Sequence, residues 1–216
     1  MKIVLFGATG HVGQRIAAEA LRRGHAVVGV VRDPEAIPES ERRVPLEKGD
    51  ATDAERIAAL VHGADAVVSA ISPRPNARGL AAPLLVANAR ALIAGLRATG
   101  VQRVLYVGGA GSLEVAPGQA LLDQPGFPEL YKAEAKEGRD ALAVWRTEAT
   151  GLDWTYLSPA AEIGPGERRG TYRTTIDAFL TDAAGRSFIT FEDYAVAVLD
   201  ELEQPQHVGR RFGVAY

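Results

Sequence analysis

Short apolar runs alternating with amphipathic stretches predict an α/β fold. The expected architecture is a doubly wound parallel sheet with helices on both faces and a small C-terminal extension. Three observations carry this. The run Ile3–Phe6 passes through Gly7, Gly10 and Gly13 into helical periodicity at Ile16, Ala17, Ala20 and Leu21. Strand-like runs recur at Ala26–Val31, Ala66–Ala70, Val101–Val107 and Trp154–Leu157, with helical stretches between them. The 216 residues, 47% hydrophobic and 24% charged, suit one domain over residues 1–216 with an ample core.

The remaining elements follow in order. Arg32-Asp33-Pro34 opens a polar stretch that ends near Arg43, and a short strand is expected at Pro45–Lys48. Asp53 reads as the N-cap of a helix over Ala54–Val61, which Gly63 ends. Prolines and glycine make Ser72–Pro83 a loop; the helix after it runs from about Ala82 to Ala98 and stops at Gly100. Leu113–Pro128, broken by prolines, is expected to be irregular. Glu129–Thr150 reads as a long helix with Glu134 and Glu137 on its solvated face. Trp145 and Trp154 belong to the core. The last part offers strands at Tyr172–Thr174 and Ser187–Thr190, a helix from Phe191 or Glu192 to Glu203, and a strand at Arg211–Val214; Tyr194 on that helix reads as a packing residue, the alternative being that it borders the substrate pocket.

Several function classes lose support at this level. A net charge of −3 with no basic block gives no reason to expect nucleic acid as a partner. The absence of cysteine removes disulfides, thiolate catalysis and cysteine-bound metal, and the four histidines show no ligand spacing, so no metal is expected. No apolar run is long enough to cross a membrane and the chain opens directly into a core strand, so a cytoplasmic protein is the simplest reading. A monomer or small homo-oligomer acting on a small molecule is the expectation.

In a doubly wound sheet, ligands bind beyond the carboxyl ends of the strands. Gly7 permits the tight turn after the first strand, Gly10 leaves room for a phosphate, and Gly13 lets the helix pack closely. Thr9, His11 and Val12 complete that turn, where helix N–H groups face an anion. Arg32 stands where an acidic residue would accept a ribose 2′-OH, and its guanidinium suits a 2′-phosphate; this leans toward NADP(H) over NAD(H). Asp33, one step later, keeps NADH open. Asp50 with Ala51 would lie along the adenine, although Asp50 also reads as a turn residue. Ala70, Ile71 and Ser72 are small enough for backbone to lie against the nicotinamide side. The run Gly108-Gly109-Ala110-Gly111 suggests close approach by a ligand, and Ser112 would hold a substrate carbonyl or the nicotinamide amide, although it also reads as a turn-forming serine. Tyr131, Pro159 and Ala160 would border the acceptor, beside an open apolar region formed with Ala161.

Taken together, these stretches resemble the atypical short-chain dehydrogenases, in particular the bacterial NAD(P)H-binding proteins described as candidate NADH-flavin reductases, which are similar to the NmrA-like group and to biliverdin reductase B/flavin reductase. The resemblance spans the chain. It rests on Phe6–Gly10, Val31–Pro34, Gly49–Asp53, Val107–Leu113, Leu157–Ala161 and Glu192–Ala195. It implies a Rossmann fold, NAD(P)H along Gly7, Gly10, Gly13, Arg32 and Asp50, and direct hydride transfer to flavin as a substrate. One departure matters. The wider family uses a Tyr-x-x-x-Lys pair for acid–base catalysis. Here Tyr131 is followed at that spacing by Ala135, with Lys132 and Lys136 at the wrong offsets. The missing pair suits flavin reduction, where solvent can supply the proton. It equally suits a non-catalytic NADP(H) sensor, which stands as the alternative.

Overall fold

In the computed structural model, residues 1–72 and 84–216 are described. The main sheet runs in the order β3 (Leu46–Lys48), β2 (Ala26–Val31), β1 (Lys2–Phe6), β4 (Ala66–Ser69), β5 (Arg103–Val107), β8 (Asp153–Ser158), β12 (Arg210–Ala215) and β10 (Arg173–Thr175). Every pair is parallel except β10 with β12. The chain winds outward from β1 in both directions, through β2 and β3 on one side and β4 and β5 on the other. That reversal leaves a crevice beyond the carboxyl ends of β1 and β4.

Strict alternation along β1 sends its side chains to two cores. Ile3 and Leu5 meet Ile16, Ala17 and Ala20 of α1 (His11–Arg22) and Tyr194 and Val198 of α5 (Phe191–Glu203). Val4 and Phe6 join Ile57 of α2 (Ala54–Val61), Leu92 of α3 (Leu84–Thr99) and Trp145 of α4 (Glu129–Glu148). Covering both faces explains why these strands read as unbroken apolar runs. Trp145 and Trp154 are buried, and Tyr194 donates to the Leu157 carbonyl at 2.7 Å from inside the core.

Two small strand pairs decorate this frame. β9 (Glu162–Gly164) lies parallel to β11 (Phe188–Thr190), and β6 (Glu114–Ala116) pairs with β7 (Gln119–Ala120) as a hairpin. The hairpin replaces part of the irregular stretch expected at 113–128. Gly118 turns it at φ +73°, and the Glu114 carboxylate accepts the Gly118 N–H at 3.0 Å. Strands of two or three residues are too short to show alternation, so neither β6–β7 nor β9 was visible in the pattern. The expected loop at 72–83 and the first two residues of the helix after it fall, apart from Ser72, outside the described residues.

Candidate functional site

The β1–α1 turn assigns a different task to each glycine. Gly7 has φ +79°, and a Cβ on it would stand 2.5 Å from the Ala70 carbonyl oxygen, so the turn rests directly on the end of β4. A Cβ on Gly13 would fall 2.0 Å from the Gly7 oxygen; the helix packs onto its own turn there. Gly10 differs, because a Cβ would meet only the Gly7 oxygen, at 3.4 Å. Its open side is the one toward solvent, where Thr9 and His11 are also exposed.

The helix that follows is left without a cap. Gly10 offers no side chain, and no acidic residue stands in the first turn of α1. By contrast, Asp53 caps α2 by accepting the Arg56 N–H at 3.0 Å, and Thr190 caps α5 by accepting the Asp193 N–H at 3.0 Å. The N–H groups of His11, Val12 and Gly13 therefore stand at the positive end of α1 with no side-chain partner, beside the β1–β4 crevice. The His11 ring stacks on Phe191 at 5.8 Å, tying the start of α1 to the start of α5.

Beyond β2, Arg32 and Asp33 are both exposed. Asp33 accepts the Glu35 N–H at 3.2 Å, and Arg42 closes the same loop by donating to the carbonyls of Pro34 and Ile37, each at 2.9 Å. Among the described residues the Arg32 guanidinium makes no hydrogen bond. Asp50 accepts the N–H and hydroxyl of Thr52 at 2.8 and 2.7 Å. Those bonds, helped by the nearby charge of Arg32, hold the Asp50 carboxyl below its ordinary range. Ala51 is fixed by a residue the sequence reading missed. The fully buried Asn88 donates to the Ala51 carbonyl at 2.6 Å and accepts the Ser69 hydroxyl at 2.7 Å. An asparagine inside an apolar helical stretch was the available signal.

On the other side of the crevice, Ala70 is buried, Ile71 half-buried and Ser72 exposed. Ser72 donates to Glu134 at 3.4 Å. The glycine run after β5 needs a correction. A Cβ on Gly108 would lie 1.9 Å from the Tyr156 ring, and one on Gly111 would lie 2.7 Å from the Ala135 Cβ. Those two glycines answer to packing; Gly109, with nothing within 4 Å, faces open space. Beneath them the Tyr156 hydroxyl donates to the Gly138 carbonyl at 2.9 Å, and burial pushes this phenol up to about 12. Ala135, at the position a lysine would need for the Tyr-x-x-x-Lys arrangement, is pressed against the turn that holds Gly111.

Ser112 is half-buried, and its carbonyl and hydroxyl oxygens accept from Arg211 at 2.6 and 3.0 Å. Tyr131 is 54% exposed on the first turn of α4. Pro159 is buried and Ala160 packs into the core shared with α1 and α5, so neither side chain is exposed. Glu137 is a second correction. It does not sit on a solvated face: it accepts the Leu85 N–H at 2.5 Å and caps the first turn of α3, with burial raising its pKa. Glu134 is exposed as expected.

An open groove of about 380 Å³ lies elsewhere, between α5 and the β10–β12 edge. Its carboxylates are already engaged, Asp200 and Glu203 by Arg23 and Glu201 by Arg103. The uncapped helix and the bare Gly10 mark the crevice instead.

Comparison with known proteins agrees with that geometry. Residues 7–205 match the NAD(P)H-binding family. The Bacillus subtilis (strain 168) protein YwnB is 40% identical over 218 residues, covering 99% of this chain and 98% of its own. A candidate epimerase from Bacteroides thetaiotaomicron superposes with a TM-score of 0.87 at 39% identity, over 100% of this chain and 96% of its own. A candidate NADH-flavin reductase from Streptococcus pneumoniae TIGR4 gives a TM-score of 0.87 at 34% identity, over 100% and 99%. With a glycine turn shaped for a dinucleotide and a Rossmann-like sheet around it, this chain belongs to the NAD(P)H-binding family.

Proposed function

We propose that the protein is an NAD(P)H-dependent oxidoreductase that delivers hydride directly to flavin or another planar conjugated acceptor. The observation that carries this reading is the bare face of Gly10 beneath an uncapped α1, at the point where the sheet reverses direction. The residues present fit a dinucleotide. Gly7, Thr9, Gly10, His11, Val12 and Gly13 would hold the diphosphate, with Asp50 and Ala51 along the adenine. Ala70, Ile71, Ser72 and Gly109 would lie along the nicotinamide half, with only the backbone of Gly108 beside them. Bound reduced nicotinamide supplies the hydride; the protein's part is to orient it and keep water away.

Arg32 supports NADPH over NADH. Its guanidinium is uncommitted among the described residues, while Asp33 is engaged with its own loop. Ser112, Tyr131, Pro159 and Ala160 would border the acceptor. Ala135 speaks against alcohol oxidation or epimerisation through a tyrosine–lysine pair, because the position of the lysine is filled by packing against Gly111. Flavin needs no such pair, since water can provide the second proton. A cytoplasmic setting, where reduced nicotinamide is plentiful, and a monomer or small homo-oligomer complete the reading.

The test is anaerobic oxidation of NADPH and NADH by the purified protein with FMN, FAD or riboflavin. Saturable, flavin-dependent oxidation is the expected result. Tight nucleotide binding with no turnover on any flavin would replace this reading with that of an NADP(H) sensor.

A further inference from the structure

Arg211, the donor to Ser112, is a charged side chain on β12 that is only 2% exposed. It joins three parts of the chain. Its Nε donates to Asp177 Oδ1 at 3.0 Å and its Nη2 donates to the same oxygen; its Nη1 donates to the carbonyl and hydroxyl oxygens of Ser112 at 2.6 and 3.0 Å. The backbone reinforces the junction. Glu114 N–H donates to the Asp177 carbonyl, and Phe179 N–H to the Glu114 carbonyl, both at 2.8 Å. The turn after β5 and the strap after β10 are thus pinned to each other through one guanidinium.

This arrangement has a chemical consequence. A guanidinium only donates hydrogen bonds. The Ser112 oxygen that receives Nη1 must therefore turn its own hydrogen elsewhere, and among the described residues no acceptor takes it. We propose that Arg211 is a positioning residue that makes Ser112 an obligate, polarised donor, so that the site selects acceptors presenting a carbonyl oxygen conjugated to the atom that receives hydride. The proposal rests on the reductase reading above. When hydride, two electrons with one proton, leaves the nicotinamide and bonds to the electron-poor ring atom, negative charge collects on that carbonyl oxygen. A donor held in place stabilises the charge as it forms. Water supplies the second proton, and the products are oxidised nicotinamide and the two-electron-reduced acceptor. Asp177 keeps the guanidinium from rotating away from Ser112.

The experiment pairs binding with turnover. FMN fluorescence is titrated with the NADP⁺-loaded wild type, Ser112→Ala, Arg211→Lys and the double variant, and NADPH oxidation is compared between FMN and phenazine methosulfate, a hydride acceptor with no carbonyl. Ser112→Ala should weaken FMN binding about ten-fold, the loss of one hydrogen bond to a buried polar group. Arg211→Lys should weaken it in the same direction, and the double variant should be no worse than Ser112→Ala, because the arginine acts through the serine. Turnover of phenazine methosulfate, which offers no carbonyl to the serine, should fall less than turnover of FMN in every variant. Additive losses, or equal losses with both acceptors, would reduce Arg211 to a structural brace and overturn the proposal. A wild type that neither binds nor reduces FMN fails the reductase reading itself, whereas a wild type that reduces FMN with Ser112→Ala unaffected fails only this inference.

Discussion

Gly10 and Gly13 sit three residues apart in the same turn, and a methyl group on each should do different damage. At Gly13 a Cβ would collide with the Gly7 carbonyl oxygen at 2.0 Å, so Gly13→Ala forces backbone apart and should cost at least about 2 kcal/mol of stability. At Gly10 the methyl finds room, so Gly10→Ala should keep stability within about 1 kcal/mol while weakening NADPH ten-fold or more. Urea unfolding and nucleotide titration on the two variants separate fold from ligand. Arg32→Ala tests the phosphate: it should weaken NADPH by about ten-fold or more and leave NADH nearly unchanged, because only NADPH loses a charge-assisted bond. Equal effects would remove Arg32 from cofactor selection. The tasks of Gly7 and Gly13 were legible in sequence because strand, turn and helix must meet at that spacing. Gly108 and Gly111 were not, since the Tyr156 ring and Ala135 that exclude their side chains come from distant elements.

At the scale of elements, the helix starts divide by what occupies them. Side chains cap α2 and α5, and Glu137 reaches across from α4 to cap α3. α1 and α4 have no side-chain cap, but α4 carries Glu129 in its first turn and α1 carries no acidic residue there. The sequence disclosed the local cap of Asp53, which obeys a short-range rule. It could not disclose Glu137, whose partner is 52 residues away. Burial raises the pKa of Glu137 above the ordinary 4.5, so the folded state holds this proton more tightly than the unfolded one. Its contribution to stability therefore falls as pH rises from about 4.5 through the folded value. Glu137→Gln keeps an oxygen for the Leu85 N–H and should remove that slope without loss of neutral-pH stability, as read from urea midpoints across pH. Asn88, which ties the β4 end to the Ala51 loop, is a second cross-element device; its two partners lie 19 and 37 residues away, beyond any local pattern.

Across the whole molecule, the parallel sheet and its two cores were legible because buried strands must read as apolar runs separated by helices. In the C-terminal third the strands β10, β11 and β12 and the helix α5 were legible as well, whereas the loop that crosses α1 and α5 depends on ion pairs rather than periodicity. Buried Glu19 on α1 receives bonds from Arg22, Arg23 and Arg168, which fastens the 165–170 loop over the helix pair α1–α5. Burial opposes the charge on Glu19, but the three arginines outweigh it and hold the carboxyl well below its ordinary range. The stability it provides is present above about pH 4.5 and is lost as pH falls below that. Glu19→Gln should cost about 3 kcal/mol at neutral pH, and the gap from wild type should narrow in acid.

The most direct measurement is an anaerobic single turnover in which the NADPH-loaded protein is mixed with FMN and both chromophores are followed together. Reduced nicotinamide and flavin should bleach at one rate, equivalent for equivalent, and deuterium at the transferring nicotinamide position should slow both. NADPH that stays bound and reduced while the flavin keeps its colour would contradict hydride transfer and leave a protein that only reads the nucleotide.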